Sequence, residues 1–226
     1  MLPVADIFAE LILLLRSNNK VLLSAPPGAG KSTYLPLLLL QHADYADKQL
    51  LMLEPRRLAA KSIAAYLSAQ LGEEVGQTVG YQIRQESRSC KSTRLLIVTE
   101  GVLTRKLQHD PELSDVDLVI FDEFHERSLH ADLALALCLE VQQLRDDLKL
   151  LIMSATLAGA DLSVKLAAPL LQSEGRSYPV TLRQDPTWDL STQRAQVLRQ
   201  LLDHYKLPNQ RIARVTGHAN RKPATA

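Results

Sequence analysis

Nine residues, Ala25-Pro26-Pro27-Gly28-Ala29-Gly30-Lys31-Ser32-Thr33, follow the short apolar run Val21 to Ser24. Glycine at 28 and 30 permits positive φ, so that successive N–H groups can turn toward one anion with no side chain in the way. In the pattern G-x-x-x-x-G-K-[ST], Lys31 would reach the β and γ phosphates of a nucleotide, and the Ser32 hydroxyl would ligate Mg²⁺. Ala29 and Thr33 complete this cradle. The first position of the pattern is Ala25 rather than glycine, and alanine is small enough to keep the turn. About ninety residues later, the run Asp117 to Phe121 delivers Asp122-Glu123-Phe124-His125. Asp122 is suited to hold Mg²⁺ through its waters, and Glu123 to orient and deprotonate an attacking water. Each motif has a plain alternative: a tight strand-to-helix turn with a solvated lysine, or a solvated acidic loop. Their occurrence together, each at the end of an apolar strand, favours a nucleoside triphosphate site.

Such a site needs a rigid frame, and the chain has the pattern of one. Apolar runs at Val21 to Ser24, Leu50 to Leu53, Leu95 to Thr99, Asp117 to Phe121 and Leu150 to Ser154 alternate with helical patterns such as Arg57 to Leu71 and Leu129 to Leu144. Continuous apolar strands separated by helices predict an α/β fold, a parallel sheet covered by helices on both faces. Strands of that kind carry their C-terminal residues to the crevice where ligands bind. Gly72 and Gly76 punctuate the second helix, and Asp110-Pro111 closes the one after Thr99. There is no internal repeat and no low-complexity tract.

Composition sets the limits. The chain has 226 residues, of which 46% are hydrophobic and 23% charged, ordinary usage for a soluble globular protein. The net charge of +1 conceals a division. Residues 184–226 hold seven Lys/Arg against three Asp/Glu, which leaves nineteen against twenty-two in residues 1–183. Overall charge therefore says nothing about nucleic acid, and any such site must be local. Cys90 and Cys138 stand far apart without ligand spacing and read as reduced thiols of a cytoplasmic protein. The segment Ile7 to Leu15 contains Glu10 and follows Asp6, so it reads as an amphipathic helix rather than a signal peptide. Leu35 to Leu40 is too short for a membrane span and reads as a core helix.

Two strand ends could meet a nucleic-acid backbone. Pro55-Arg56-Arg57 ends one strand and opens a helix, so two guanidiniums and helix-terminal N–H groups could face phosphates together; taken alone, the pair is equally a solvated basic corner. Thr99-Glu100-Gly101 repeats the arrangement at the next strand end, with a hydroxyl and a glycine N–H able to hold phosphate oxygens without reading sequence. Gln82 and Arg84 fit an ordinary polar strand face, and their role stays open.

Taken in order, Ser24 to Thr33, Glu54-Pro55-Arg56-Arg57-Leu58-Ala59-Ala60, Gly80-Tyr81-Gln82-Ile83-Arg84, Thr99-Glu100-Gly101-Val102-Leu103, Asp122 to Ser128 and Ser154-Ala155-Thr156 resemble the motifs of superfamily 2 DEAH/RHA helicases of the HrpB type. The resemblance covers about residues 1–183. It implies a RecA-like ATP-binding domain that uses ATP and Mg²⁺ and grips single-stranded RNA or DNA by its backbone. It further implies that His125 links phosphate state to that grip, with Ser154 and Thr156 as hydrogen-bonding partners across the cleft; the alternative for His125 is a satisfied core histidine. Phe124 stands where the family name has alanine, and the acids and the histidine keep their places.

The remaining residues, 184–226, are expected to form a separate appendage. Trp188 to Val197, the helical pattern to His204 and Gln210 to His218 resemble part of an OmpA/MotB-type domain, in which Arg194 would meet a diaminopimelate carboxylate. The G-H-x-D element of that family is missing, the alternative is a generic amphipathic helix, and peptidoglycan is not an expected partner. The second RecA-like domain of the helicases has no counterpart in these residues, so weak hydrolysis without unwinding is expected of this chain alone. A non-catalytic nucleotide-binding fragment and another kind of P-loop ATPase are the alternatives.

Overall fold

The structure, a computed structural model, describes residues 2–155 and 159–173. The chain divides between Ser177 and Tyr178 into two units, and the description concerns the first. Thr156, Arg194 and the rest of the expected appendage lie outside the described residues.

Eight strands form one sheet: β1 (Lys20–Ser24), β2 (Leu50–Leu53), β3 (Val79–Ile83), β4 (Glu86–Arg88), β5 (Leu95–Val98), β6 (Leu118–Phe121), β7 (Lys149–Ser154) and β8 (Leu170–Gln172), in the order β4-β3-β5-β2-β6-β7-β1-β8. Every neighbouring pair is parallel except β3 with β4. The helices are α1 (Phe8–Ser17), α2 (Leu35–Gln41), α3 (Arg57–Leu71), α4 (Glu100–His109), α5 (Leu129–Leu144) and α6 (Gly159–Leu166).

Alternation along the strands makes two cores. Leu23, Met52, Ile97, Ile120 and Met153 point to the face covered by α1, α2 and α3. Their neighbours Leu22, Leu53, Val98, Phe121 and Ile152 point to the face covered by α4 and α5. Because both faces are buried, the strands read as unbroken apolar runs, as the sequence predicts for a parallel sheet with helices on both sides.

The strand reading needs three corrections. β3 and β4 form a hairpin on the edge, joined through Gln85 at φ 68°, so the sheet is not wholly parallel. The three residues of β4 are all exposed and polar, and no hydrophobic period could announce them. Gly80 allows the hairpin to close, since a Cβ there would lie 2.5 Å from the Arg88 carbonyl oxygen. β8 is three residues long and adds to β1 on the other flank. Finally, β5 stops at Val98, and Thr99 serves as N-cap of α4 instead of ending the strand.

Among the described residues, no helix is long and apolar enough to cross a membrane. The C-terminal ends of β1, β2, β5, β6 and β7 all lie on one side of the sheet, because the strands are parallel and in register. They lead respectively into the glycine-rich loop, Glu54–Arg57, Thr99–Gly101, Asp122–Ser128 and Ser154–Ala155, which sets the predicted site residues side by side.

Candidate functional site

The loop from Ala25 to Tyr34 departs from β1 next to β7, where the Ala25 N–H donates to the Ser154 carbonyl at 3.0 Å. Gly28 and Gly30 adopt φ of 80° and 95°, values that L side chains avoid. The Gly30 carbonyl accepts from the Tyr34 and Leu35 N–H groups at 2.8 and 2.9 Å and so closes the turn into α2. The amide groups of Gly28, Gly30, Lys31, Ser32 and Thr33 donate to nothing among the described residues, whereas Ala29 donates to the Pro26 carbonyl at 3.2 Å. A run of unspent N–H groups on one turn is a concentrated positive region suited to phosphate.

Lys31 is 4% exposed and folds back over its own loop, with Nζ donating to the carbonyls of Ala25 at 2.5 Å and Pro26 at 3.1 Å. Burial lowers its pKa, and the fields of Glu123 and Asp122 oppose that shift. An ammonium has three donors, so one remains for a ligand after these two bonds.

Asp122 is 3% exposed at the end of β6. Its Oδ1 accepts from the Glu123 N–H at 2.9 Å, and its Oδ2 is buried without a hydrogen-bond partner among the described residues. Desolvation pushes its pKa up to about 6, against the pull of the Ser32 side chain. A buried carboxylate oxygen left over, beside Ser32 and Lys31, fits a divalent cation. No three His, Cys, Asp or Glu side chains group into a metal cage among the described residues.

Glu123 sits at φ 49°, ψ 34°, and Arg127 at φ 47°, so the short 3₁₀ turn Phe124–Glu126 lies between two left-handed residues. A non-glycine residue rarely tolerates this conformation. The turn brings His125 Nδ1 to 3.3 Å from Glu123 Oε2 and 3.4 Å from the Ala155 amide nitrogen. With its proton on Nδ1 the ring donates to Glu123; with Nδ1 bare it accepts from Ala155, next to Ser154 at the end of β7. His125 is thus half-buried between two loops rather than set in the core. The turn is anchored by Phe124 packed edge-on against Phe121, with the Arg127 guanidinium over its ring at 5.5 Å.

The residues predicted for nucleic acid occupy the neighbouring strand ends. Arg56 and Arg57 are exposed where α3 begins. The Arg56 guanidinium pairs with Glu126, and that of Arg57 donates to the Arg84 carbonyl at 3.1 Å. Thr99 is buried, and its carbonyl accepts from Val102 and Leu103 at 2.8 and 3.2 Å. The Glu100 carboxylate accepts from the Ser128 hydroxyl at 2.5 Å, and that hydroxyl also caps α5 through the Ala131 N–H at 2.9 Å. A carboxylate cannot hold a phosphate, so the Glu100 side chain ties two site loops together. Gly101 is exposed, and a Cβ built on it would meet nothing within 4 Å.

Two acids to which the sequence assigned no role stand in this crevice. Glu54, 2% exposed at the end of β2, accepts from the Arg56 N–H at 3.1 Å, and desolvation first, then the field of Asp122, raises its pKa to about 7. Glu126 holds Arg56. The signal for Glu54 was the one that disclosed Asp122, an acid directly after an apolar strand.

Comparison with known proteins bears on the whole arrangement. The sequence model of the DEAD/DEAH box helicase family matches residues 6–163. The chain is 59% identical over 187 residues to the ATP-dependent RNA helicase HrpB of Escherichia coli K12, covering 82% of this chain and 23% of that protein. It is 42% identical over 190 residues to the human ATP-dependent RNA helicase DHX29, covering 79% of this chain and 14% of the relative. A crystal structure of the E. coli DEAH/RHA helicase HrpB superposes with a TM-score of 0.79 at 53% identity, over 90% of this chain and 27% of the other. A second crystal structure, of the E. coli DExH-box NTPase HrpB, gives 0.76 at 54%, over 88% and 26%. The chain therefore spans about a quarter or less of the length of these relatives.

Proposed function

The chain belongs to the DEAD/DEAH box helicase family, and from that premise we propose that it is the ATP-binding RecA-like domain of an ATP-dependent RNA helicase. What carries this reading is the juxtaposition of the amides of Gly28, Gly30, Lys31, Ser32 and Thr33 with the buried Oδ2 of Asp122, none of which has a hydrogen-bond partner among the described residues. The first are suited to the phosphates of ATP and the second, with the Ser32 hydroxyl, to Mg²⁺. When bound, Mg²⁺ supplies the positive charge that neutralises phosphate oxygens. Lys31 offers its remaining donor to the β and γ phosphates, and Glu123 takes a proton from the attacking water. His125 reports the state of Glu123 to the β7 end through Ala155, next to Ser154.

For the nucleic acid, Arg56, Arg57, the Thr99 hydroxyl and the Gly101 N–H hold the backbone without base selection, and Glu100 keeps the Thr99 loop in place. The open space at Gly101 supports close approach of a backbone there. RNA is preferred to DNA because the relatives are named RNA helicases. The domain division we propose is 1–183 for the helicase part and 184–226 for an appendage with no role in it. The residues of the helicase part bind Mg-ATP and single-stranded RNA.

The test is an ATP turnover assay with and without single-stranded RNA, paired with fluorescence anisotropy of a labelled RNA. Slow Mg²⁺-dependent turnover and RNA binding that weakens as salt rises are expected. Nucleotide binding with no effect of RNA and no RNA affinity would point instead to a non-helicase P-loop protein.

A further inference from the structure

The phosphate loop is braced from behind by the start of the chain. A 3₁₀ turn, Pro3–Ala5, lies against it; Val4 is wholly buried, and its N–H donates to the Ala29 carbonyl at 3.2 Å. The two hydrogen bonds that shape this turn, Ala5 N–H to Leu2 and Asp6 N–H to Pro3, leave the Val4 N–H for the loop. A Cβ on Gly30 would lie 2.9 Å from Leu2 Cδ1 and 3.2 Å from Val4 Cγ2, so the segment touches the loop at its most constrained residue.

Peptide geometry turns this contact into an aiming device. In a planar trans peptide the carbonyl and the N–H point in opposite directions. Fixing the Ala29 carbonyl on Val4 therefore fixes the Gly30 N–H away from Val4. The next peptide is held in the same way, because the Gly30 carbonyl bonds to Tyr34 and Leu35 and thereby orients the Lys31 N–H. The Gly30 and Lys31 amides donate to nothing among the described residues. The second clamp is local to the loop and α2, whereas the first comes from a distant part of the sequence.

We infer that Val4 is a positioning residue for nucleotide binding, its backbone N–H holding the Ala29–Gly30 peptide so that the Gly30 N–H faces the phosphates. This rests on reading residues 28–33 as the phosphate site. The side chain and the N–H of Val4 have separable roles: the first packs α1 and the loop together, and the second orients the peptide.

The experiment replaces the Val4 amide by an ester, which removes the N–H and weakens the Pro3 carbonyl that accepts from Asp6, and compares it with Val4→Ala and Lys31→Ala in Mg-ADP titrations far below every thermal midpoint. The ester should bind roughly fivefold more weakly, the factor expected for one hydrogen bond, while Val4→Ala, which keeps the N–H, mainly lowers the thermal midpoint. An ester variant with native affinity, in a series where Lys31→Ala loses binding, overturns the inference and leaves the phosphate site standing. Native affinity in Lys31→Ala removes both. Hydrogen exchange of the unmodified chain gives a check that needs no variant: the Val4 amide should be protected, and more so with Mg-ADP. Exchange at the unprotected rate in both states would refute the bond.

Discussion

On the phosphate loop five amides, and beside it the buried Oδ2 of Asp122, are left without partners among the described residues, while across the crevice Arg56, Arg57 and Glu100 have each already found one. Both regions hang from the C-terminal ends of the same sheet. The first is shaped in advance, its free groups held by glycine geometry and by backbone bonds from Val4, Tyr34 and Leu35, so a ligand gains their interactions with little reorganisation. The second must exchange partners: Arg56 has to leave Glu126 before it can meet a phosphate. A nucleotide site of this kind should be strong and sensitive to single changes, and a backbone-binding surface of this kind weaker, adjustable and governed by salt.

The contrast can be broken at either end. The largest expected effect is on chemistry: Glu123→Gln should lower turnover by roughly 10² to 10⁴, the usual contribution of a general base, while leaving Mg-ADP affinity near native. Equal turnover in single-turnover assays would remove Glu123 from the reaction.

Next comes the cost of keeping the site ready. Asp122 and Glu54 have folded pKa values of about 6 and about 7, both above the ordinary carboxylate range because burial disfavours their ionised forms. Between the unfolded and folded values the native state binds more protons, so stability falls as pH rises through that window, from about 4 to 7. Without nucleotide, the thermal midpoint should be higher near pH 5 than near pH 8. Asp122→Asn should flatten part of this slope and stabilise the chain at pH 8 by an amount on the order of 2 kcal/mol. A midpoint that climbs steadily from pH 5 to 8 would show that these acids are not held as described.

The smallest effect belongs to the exchangeable side. Glu126→Ala frees the Arg56 guanidinium, and single-stranded RNA affinity at low salt should rise by about two- to fivefold, the scale of one exposed ion pair. The gain should shrink as salt is added. Weaker RNA binding in this variant would mean that Glu126 assists the grip instead of competing with it.

Much of the architecture could be read from the amino acids because parallel strands buried on both faces are continuous apolar runs, as at Leu50–Leu53 and Leu118–Phe121. The edge was not legible. Glu86–Arg88 pairs through backbone alone, and Gly80, in the neighbouring strand, is there to make room for it. In the site, Gly28, Gly30, Lys31 and Asp122 announce themselves because their chemistry requires those residue types at that spacing. What sequence could not show is which groups are already engaged. Nothing in the motifs says that Glu126 holds Arg56, that Glu100 is bound to Ser128, or that Val4, some twenty-five residues from Ala29, closes on the loop. These are long-range pairings set by tertiary packing, and no local periodicity records them.

The central claim is that residues 28–33 form a phosphate site prepared before the nucleotide arrives. Calorimetric titration of Mg-ADP into the native chain and into Lys31→Ala tests it most directly. Saturable binding to the native chain is expected, weakened roughly a hundredfold or more when the ammonium is removed. Equal affinity of the two proteins, or no binding to either, would contradict the account.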